Sequence, residues 1–330
     1  PKSAADNKTT PIGTGPFKFV SWQKGSKVDL AKNAEYWNKS VSVKIETAVF
    51  RFIADPQAQA AALKAGDVDA FPEFGAPELV SSFEGDKKLT TVIGNTELKV
   101  VAGMNNSRKP FDDKKVRQAL MMAVDRATVV EGAWSGYGTP IGSHYTPNDR
   151  GFKDLTGIYP FDAEKAKALL SEAGYPNGFS FTMKAPQMAY AQRSSQILQA
   201  MFAEIGVTMN IETTEFPAKW VSDVLKAGDY DMTIVAHAEP MDIDIYARDP
   251  YYFHYKNPAF NEILAKVEAT ADPAEQDKLY GEAQTILAED VPALFLFVMP
   301  KLGIWDAKLK GLWENEPIPS NVLTEVFWEE

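Results

Sequence analysis

The chain has 330 residues, of which 45% are hydrophobic and 24% charged, with a formal net charge of −11. That length accommodates two lobes, each with its own core, and the composition excludes a globally disordered chain. The acidic excess excludes a nucleic-acid or anionic-membrane partner held by charge, and the absence of cysteine excludes disulfides, thiolate nucleophiles and Cys-ligated metals.

The first residues, "PKSAADNKTT", carry no apolar segment of the secretory-signal kind. Gly13-Thr14-Gly15 is followed by Pro16 and a β-rich run, so no helix N-terminus faces an anion; this is a turn leading into a strand and not a phosphate loop. "GPFKFVSWQKGSKVDLAKN" reads as a hairpin around Lys24-Gly25-Ser26, and "VKIETAVFRFI" as a further strand. After Asp55-Pro56, "QAQAAALKAG" is a helix that stops at Gly66, and "DVDAFPEF" returns to extended chain. Strand, helix and strand in that order predict a right-handed crossover unit. "KLTTVIGN" and "ELKVVAGMN" add two strands.

The texture changes after Asn105. "DDKKVRQALMMAVDRATVVEGAW" has a helical apolar period, with Asp112 or Asp113 as N-cap, and "SGYGTPIGSHYTPNDRGF" is a long Gly/Pro-rich loop. From Asp162 helices and strands alternate through "YDMTIVAHA", the pattern of an α/β lobe. Two more helices, the strand-like "ALFLFVMPKLGIW" and a Trp-bearing tail complete the chain. Its longest apolar run, Val291 to Met299, is strand-sized and far short of the roughly 18–20 residues of a bilayer span.

Several stretches, taken in order, resemble one family. "TPIGTGPFKF", "NAEYW", "FRFIADPQAQAAALKAGDVDA", "MNNSRKPFDDKKVRQALMMAVDRATVV", "YPFDAEKAKALLSEAGYPNGFSF" and "YKNPAFNEILAKV" are similar to recurring segments of the family 5 extracellular solute-binding proteins. These are the dipeptide, oligopeptide and nickel-binding class of ABC importers. The resemblance implies an α/β fold of the type II periplasmic-binding-protein kind: a two-lobed Venus-flytrap clamp with mixed sheets flanked by helices. Lobe I would comprise residues 1–104 and 291–330, and lobe II residues 105–290. Members normally carry about 150 or more residues before the GTGP segment, a size in keeping with one further domain. On that comparison the chain is expected to lack an N-terminal portion, itself a possible partner. The implied function is capture of a small solute, favouring a short peptide or amine-bearing conjugate, and its delivery to an ABC permease in the periplasm or at the outer cell surface. A sugar, an opine or a nickel chelate is the alternative ligand; the membrane is met only through the permease, and no cofactor is expected.

The stretch Val235 to Tyr255, "VAHAEPMDIDIYARDPYYFHY", sets Glu239, Asp242, Asp244, Arg248 and Asp249 among aromatics and histidines just past a strand end, where ligands collect in α/β sheets. In peptide-binding members this loop supplies an aspartate for the ligand's α-ammonium, in a "W-x-x-D" context. Here "H-A-E-P-M-D-I-D" stands instead, with His237 at the Trp position and Glu239 or Asp242 at the acid. The competing reading makes Asp242 or Asp244 the N-cap of a solvated turn. The expected ligand-binding set is His237, Glu239, Asp242, Asp244, Arg248, Trp220, His144 in the Gly/Pro loop and Asn105 at the lobe crossing. Trp220 fits a helix's core face as well as a ligand stack. Arg117 and Asp125 read as ion-pair or capping groups.

No H-x-x-x-H or HExxH spacing is present among three histidines, so no protein-built metal site is expected. Ser21-Trp22-Gln23-Lys24 matches S-x-x-K without its companion motifs, and Ser135 lacks the nucleophile-elbow spacing. A hydrolase using paired carboxylates, such as Asp67 and Asp69, is the alternative from another class, and the chain is read as a binding protein without catalysis.

Overall fold

The computed structural model describes residues 5–330; the first four residues of the opening "PKSAADNKTT" lie outside the described residues. The chain divides into two compact units, Pro1–Gly94 with Lys301–Glu330, and Asn95–Pro300.

In the first unit, β1 (Phe17–Gln23) and β2 (Lys27–Lys32) form an antiparallel hairpin, with Gln23 opposite Lys27. Gly25 turns it at φ 75°, a backbone region that penalises any Cβ. β3 (Thr47–Arg51) joins on the far side of β2. Helix α1 (Pro56–Ala65) starts where Asp55 accepts a hydrogen bond from the Ala58 N–H at 2.7 Å and Pro56 presets the first turn. It ends at Gly66, left-handed at φ 74°. β4 (Ala70–Phe71) follows, then a 3₁₀ turn and β5 (Leu89–Gly94). The predicted crossover is not formed within one sheet: β3 belongs to the β1-β2-β3 sheet, whereas β4 pairs in a separate sheet. Local pattern fixes a strand's existence, and its partner is chosen by distant residues.

The second unit opens with β6 (Lys99–Met104), buried along its whole length. The run after Asp112 forms two helices where one was expected, α2 (Lys114–Met122) and α3 (Arg126–Trp134). Asp113 caps the first, and Asp125 caps the second through the N–H groups of Ala127 and Thr128. Next come β7 (Thr139–Pro140), α4 (Ala163–Glu172), β8 (Ser180–Pro186), α5 (Ala189–Glu204) and β9 (Thr208–Thr214). The helix expected after Pro217 is a short α6 (Ala218–Trp220) that widens into a π-type turn at Val221–Lys226. β10 (Met232–His237), a 3₁₀ turn at Asp242–Tyr246, α7 (Pro258–Ala269), α8 (Pro273–Asp290) and β11 (Ala293–Val298) complete the unit.

These strands form one mixed six-stranded sheet in the order β7-β11-β6-β10-β8-β9. β10, β8 and β9 run parallel, while β6 is antiparallel to both β10 and β11. β6 and β11 lie inside the sheet with every residue buried, as a strand covered on both faces requires. The chain therefore changes unit after Gly94 and after Pro300, about ten residues outside the crossings expected near Asn105 and Val291. For the same reason "ALFLFVMPKLGIW" is two strands: β11, and β12 (Lys301–Asp306), which lies between β4 and β5 in the first unit. A final hairpin pairs β13 (Leu309–Lys310) with β14 (Phe327–Trp328).

Candidate functional site

The second unit places the chemistry at the C-terminal end of β10. Asp242 is 8% exposed and Lys99, at the start of β6, is 0% exposed; the Lys99 Nζ stands 3.1 Å from Asp242 Oδ1. The same ammonium donates to the Glu239 carbonyl at 2.7 Å and the Glu97 carbonyl at 3.2 Å, so three N–H groups meet three acceptors. His144 lies 3.1 Å from Asp242 Oδ1 through Nε2 and 3.2 Å from the Tyr246 hydroxyl through Nδ1. Because an ionised carboxylate only accepts, Nε2 carries the proton and Nδ1 accepts from Tyr246. His237 presents Nδ1 to Asp242 Oδ2 at 3.6 Å and Nε2 to the Tyr252 hydroxyl at 2.8 Å.

Burial pushes the His237 imidazole down to about 3, and His144 is lowered by the same cause against the opposing pull of Asp242. Both rings are neutral at pH 7. Burial acts to raise the Asp242 carboxyl, but His144, Lys99 and His237 beside it outweigh that and hold it well below the ordinary carboxylate range. With both rings neutral, the Lys99 ammonium is the countercharge.

Aromatic rings wall the cluster. His144 and His237 meet edge to face at 4.9 Å, and Tyr246 stacks on Phe253 at 4.3 Å. Trp220 is buried, its indole N–H donating to the Thr233 hydroxyl at 2.9 Å, so it occupies the core face of its turn.

Of the residues predicted as ligand-binding, then, His144, His237 and Asp242 come together as a buried cluster. Their nitrogen and oxygen ligand atoms lie within 4.8 Å of one another, an arrangement able to hold a metal ion that the linear spacing of the histidines did not reveal. Glu239 and Asp244 are exposed, and Asp244 pairs with Arg248 at 2.8 Å. Neither Asp242 nor Asp244 caps the following turn with its side chain. Asn105 is buried and its amide is spent on the chain: Nδ2 donates to the Gly228 and Tyr230 carbonyls, and Oδ1 accepts from Ser107. Arg117 donates to the carbonyls of Phe111, Asp290 and Val291, the structural role expected of it.

Three residues escaped the sequence reading. β10, β8 and β9 are neighbouring parallel strands, and just past their C-terminal ends come Glu239, Met188 and Phe216 in that spatial order. Met188 is 43% and Phe216 39% exposed, so two large apolar side chains stand open to solvent at this end of the sheet. Lys99, too, was not singled out. An apolar residue two positions past a parallel strand was the available signal for the first two; nothing local marked Lys99.

The model of bacterial extracellular solute-binding proteins, family 5, matches residues 1–259. The chain belongs to that family. Its family 5 relatives include the glutathione-binding protein GsiB of Pectobacterium atrosepticum, 30% identical over 92% of this chain and 62% of that protein. GsiB of Escherichia coli K12 is 29% identical over the same shares. This family 5 chain thus spans about three-fifths of the length of these relatives. Among solved structures, the periplasmic binding protein DppA of Helicobacter pylori, in complex with peptide STSA, is similar at 27% identity and TM-score 0.88, over 97% of this chain and 64% of that one. AgaA of A. tumefacien R10, in complex with agropinic acid, shares the fold at 24% identity and TM-score 0.84, over 99% and 70%. The fold is that of the type II periplasmic binding proteins, with mixed sheets and flanking helices.

Proposed function

We propose that this chain captures a short peptide or peptide-like amine and passes it, unchanged, to the permease of an ABC importer, working in the periplasm or at the outer cell surface. The observation that carries the reading is the edge formed past β10, β8 and β9, where the exposed Glu239 carboxylate and the exposed Met188 and Phe216 side chains follow successive parallel strands. Strand C-terminal ends are where α/β sheets collect ligands. An acid beside two apolar side chains suits a peptide amine followed by apolar side chains. The peptide and glutathione ligands named for DppA and GsiB support the same class. No acid or base is set against a nucleophile in this edge, so the reading is binding without turnover.

Calorimetric titration with glutathione and with a linear tripeptide tests it. Replacing both Met188 and Phe216 by Ala is expected to weaken binding by about 10-fold or more, the loss of one well-buried apolar contact or greater. Unchanged affinity in that double variant would remove the edge from the account.

A further inference from the structure

We propose that Lys99 is a built-in cation that sets the ligand class: it fills the cage of Asp242, His144 and His237, so that the cage takes neither a ligand's ammonium group nor a metal ion. The inference rests on the solute-binding reading and narrows it.

The cage is otherwise well formed for a cation. Two imidazoles and a carboxylate present ligand atoms within 4.8 Å of one another, a donor set that suits zinc or nickel. Each ring has its far nitrogen on a tyrosine hydroxyl, His144 on Tyr246 and His237 on Tyr252, which fixes the orientation of both rings. The cluster is walled by aromatic side chains and nearly sealed from solvent.

Lys99 supplies the cation at the carboxylate side of this cage. Its ammonium is fully buried, touches Asp242 Oδ1 at 3.1 Å and satisfies its two other protons on the Glu97 and Glu239 carbonyls. Asp242 Oδ1 already receives the Lys99 ammonium and His144 Nε2, which leaves only Oδ2, facing His237 Nδ1 at 3.6 Å, and an entering ammonium there would share one buried carboxylate with the Lys99 charge. A divalent ion would sit against the Lys99 charge in a poorly solvated site, where repulsion is least screened. Lys99 also holds the backbone of Glu239, so the residue that closes the cage places the exposed acid of the binding edge. A ligand's amine is thereby directed to Glu239 and away from Asp242.

The test uses zinc chloride and propylammonium chloride as probes, with thermal unfolding and calorimetry, on the wild type, on Lys99→Ala and on Lys99→Ala/Asp242→Asn. Propylammonium replaces the part of the side chain that Lys99→Ala deletes. The wild type is expected to show no rise in Tm and no saturable binding with either probe. Lys99→Ala is expected to gain about 5 °C with saturating propylammonium or zinc, and the double variant to gain nothing. Stoichiometric zinc binding by the wild type that is lost in His144→Ala would overturn the proposal, as would a folded Lys99→Ala that answers neither probe. Should Lys99→Ala not fold, Lys99→Met titrated with zinc chloride takes its place: saturable zinc binding is expected, and a folded Lys99→Met that binds none would overturn the proposal. Both probes act without peptide, so the result is read separately from the peptide titration.

Discussion

At Asp242 the carboxylate that local context offers to a ligand is answered from within the chain. Removing one member of a buried ion pair strands the other, so Lys99→Met is expected to cost about 3–5 kcal/mol in urea unfolding, and Lys99→Met/Asp242→Asn to recover much of that loss. If the double variant is as unstable as the single, the pair is not coupled as described. The two imidazoles give the cluster its pH dependence. Both are depressed from the usual 6.5, so below that value the unfolded chain binds protons that the folded chain refuses. Stability is expected to fall as pH drops from 6.5 towards the folded value of about 3 for His237, each such ring contributing up to about 1.4 kcal/mol per pH unit. Asp242, also depressed, adds a loss in the same direction at the acid end. His237→Gln measured by denaturation across that range should have the shallower slope; an unchanged slope would place the titration elsewhere. The sequence displayed these acids and histidines, but His144 and Lys99 reach Asp242 from distant parts of the chain, and only the folded sheet brings them together.

Helix ends were the most legible elements, because a cap is chosen by residues within one turn. Asp55, Asp113 and Asp162 each precede a helix and accept one of its free N–H groups. The same signal was present at Asp125, yet the apolar period ran on past it, and the break between α2 and α3 was read as continuous helix. Asp125→Ala should cost about 1 kcal/mol by thermal or urea unfolding, since it takes the acceptor for Ala127, Thr128 and the Thr128 hydroxyl. A loss near zero would mean that water caps α3 equally well. Arg117 reaches from α2 to the C-terminal end of α8, where it serves the carbonyls of Asp290 and Val291. Arg117→Met leaves buried carbonyls without donors and is expected to destabilise by about 2–3 kcal/mol or more in the same assay.

For the molecule as a whole, the family and the α/β class were readable because ordered motifs run through most of the chain, and the family match over residues 1–259 agrees. The assignment of strands to units was less legible. β6 and β11 are apolar on both faces, which says that they are central in some sheet but not in which; their mutual pairing put both in the second unit. Met188 and Phe216 gained meaning only when β8 and β9 were found side by side and parallel with β10. The central claim is that this edge holds a peptide-like solute and releases it intact. The most direct test incubates the purified chain with glutathione and a panel of short peptides, removes free ligand, and measures retained ligand and its intact mass after denaturation. The account predicts saturable retention of at least one peptide, near one per chain and chemically unaltered. Recovery of a cleaved product, or no retention of any peptide by a folded chain, would contradict it.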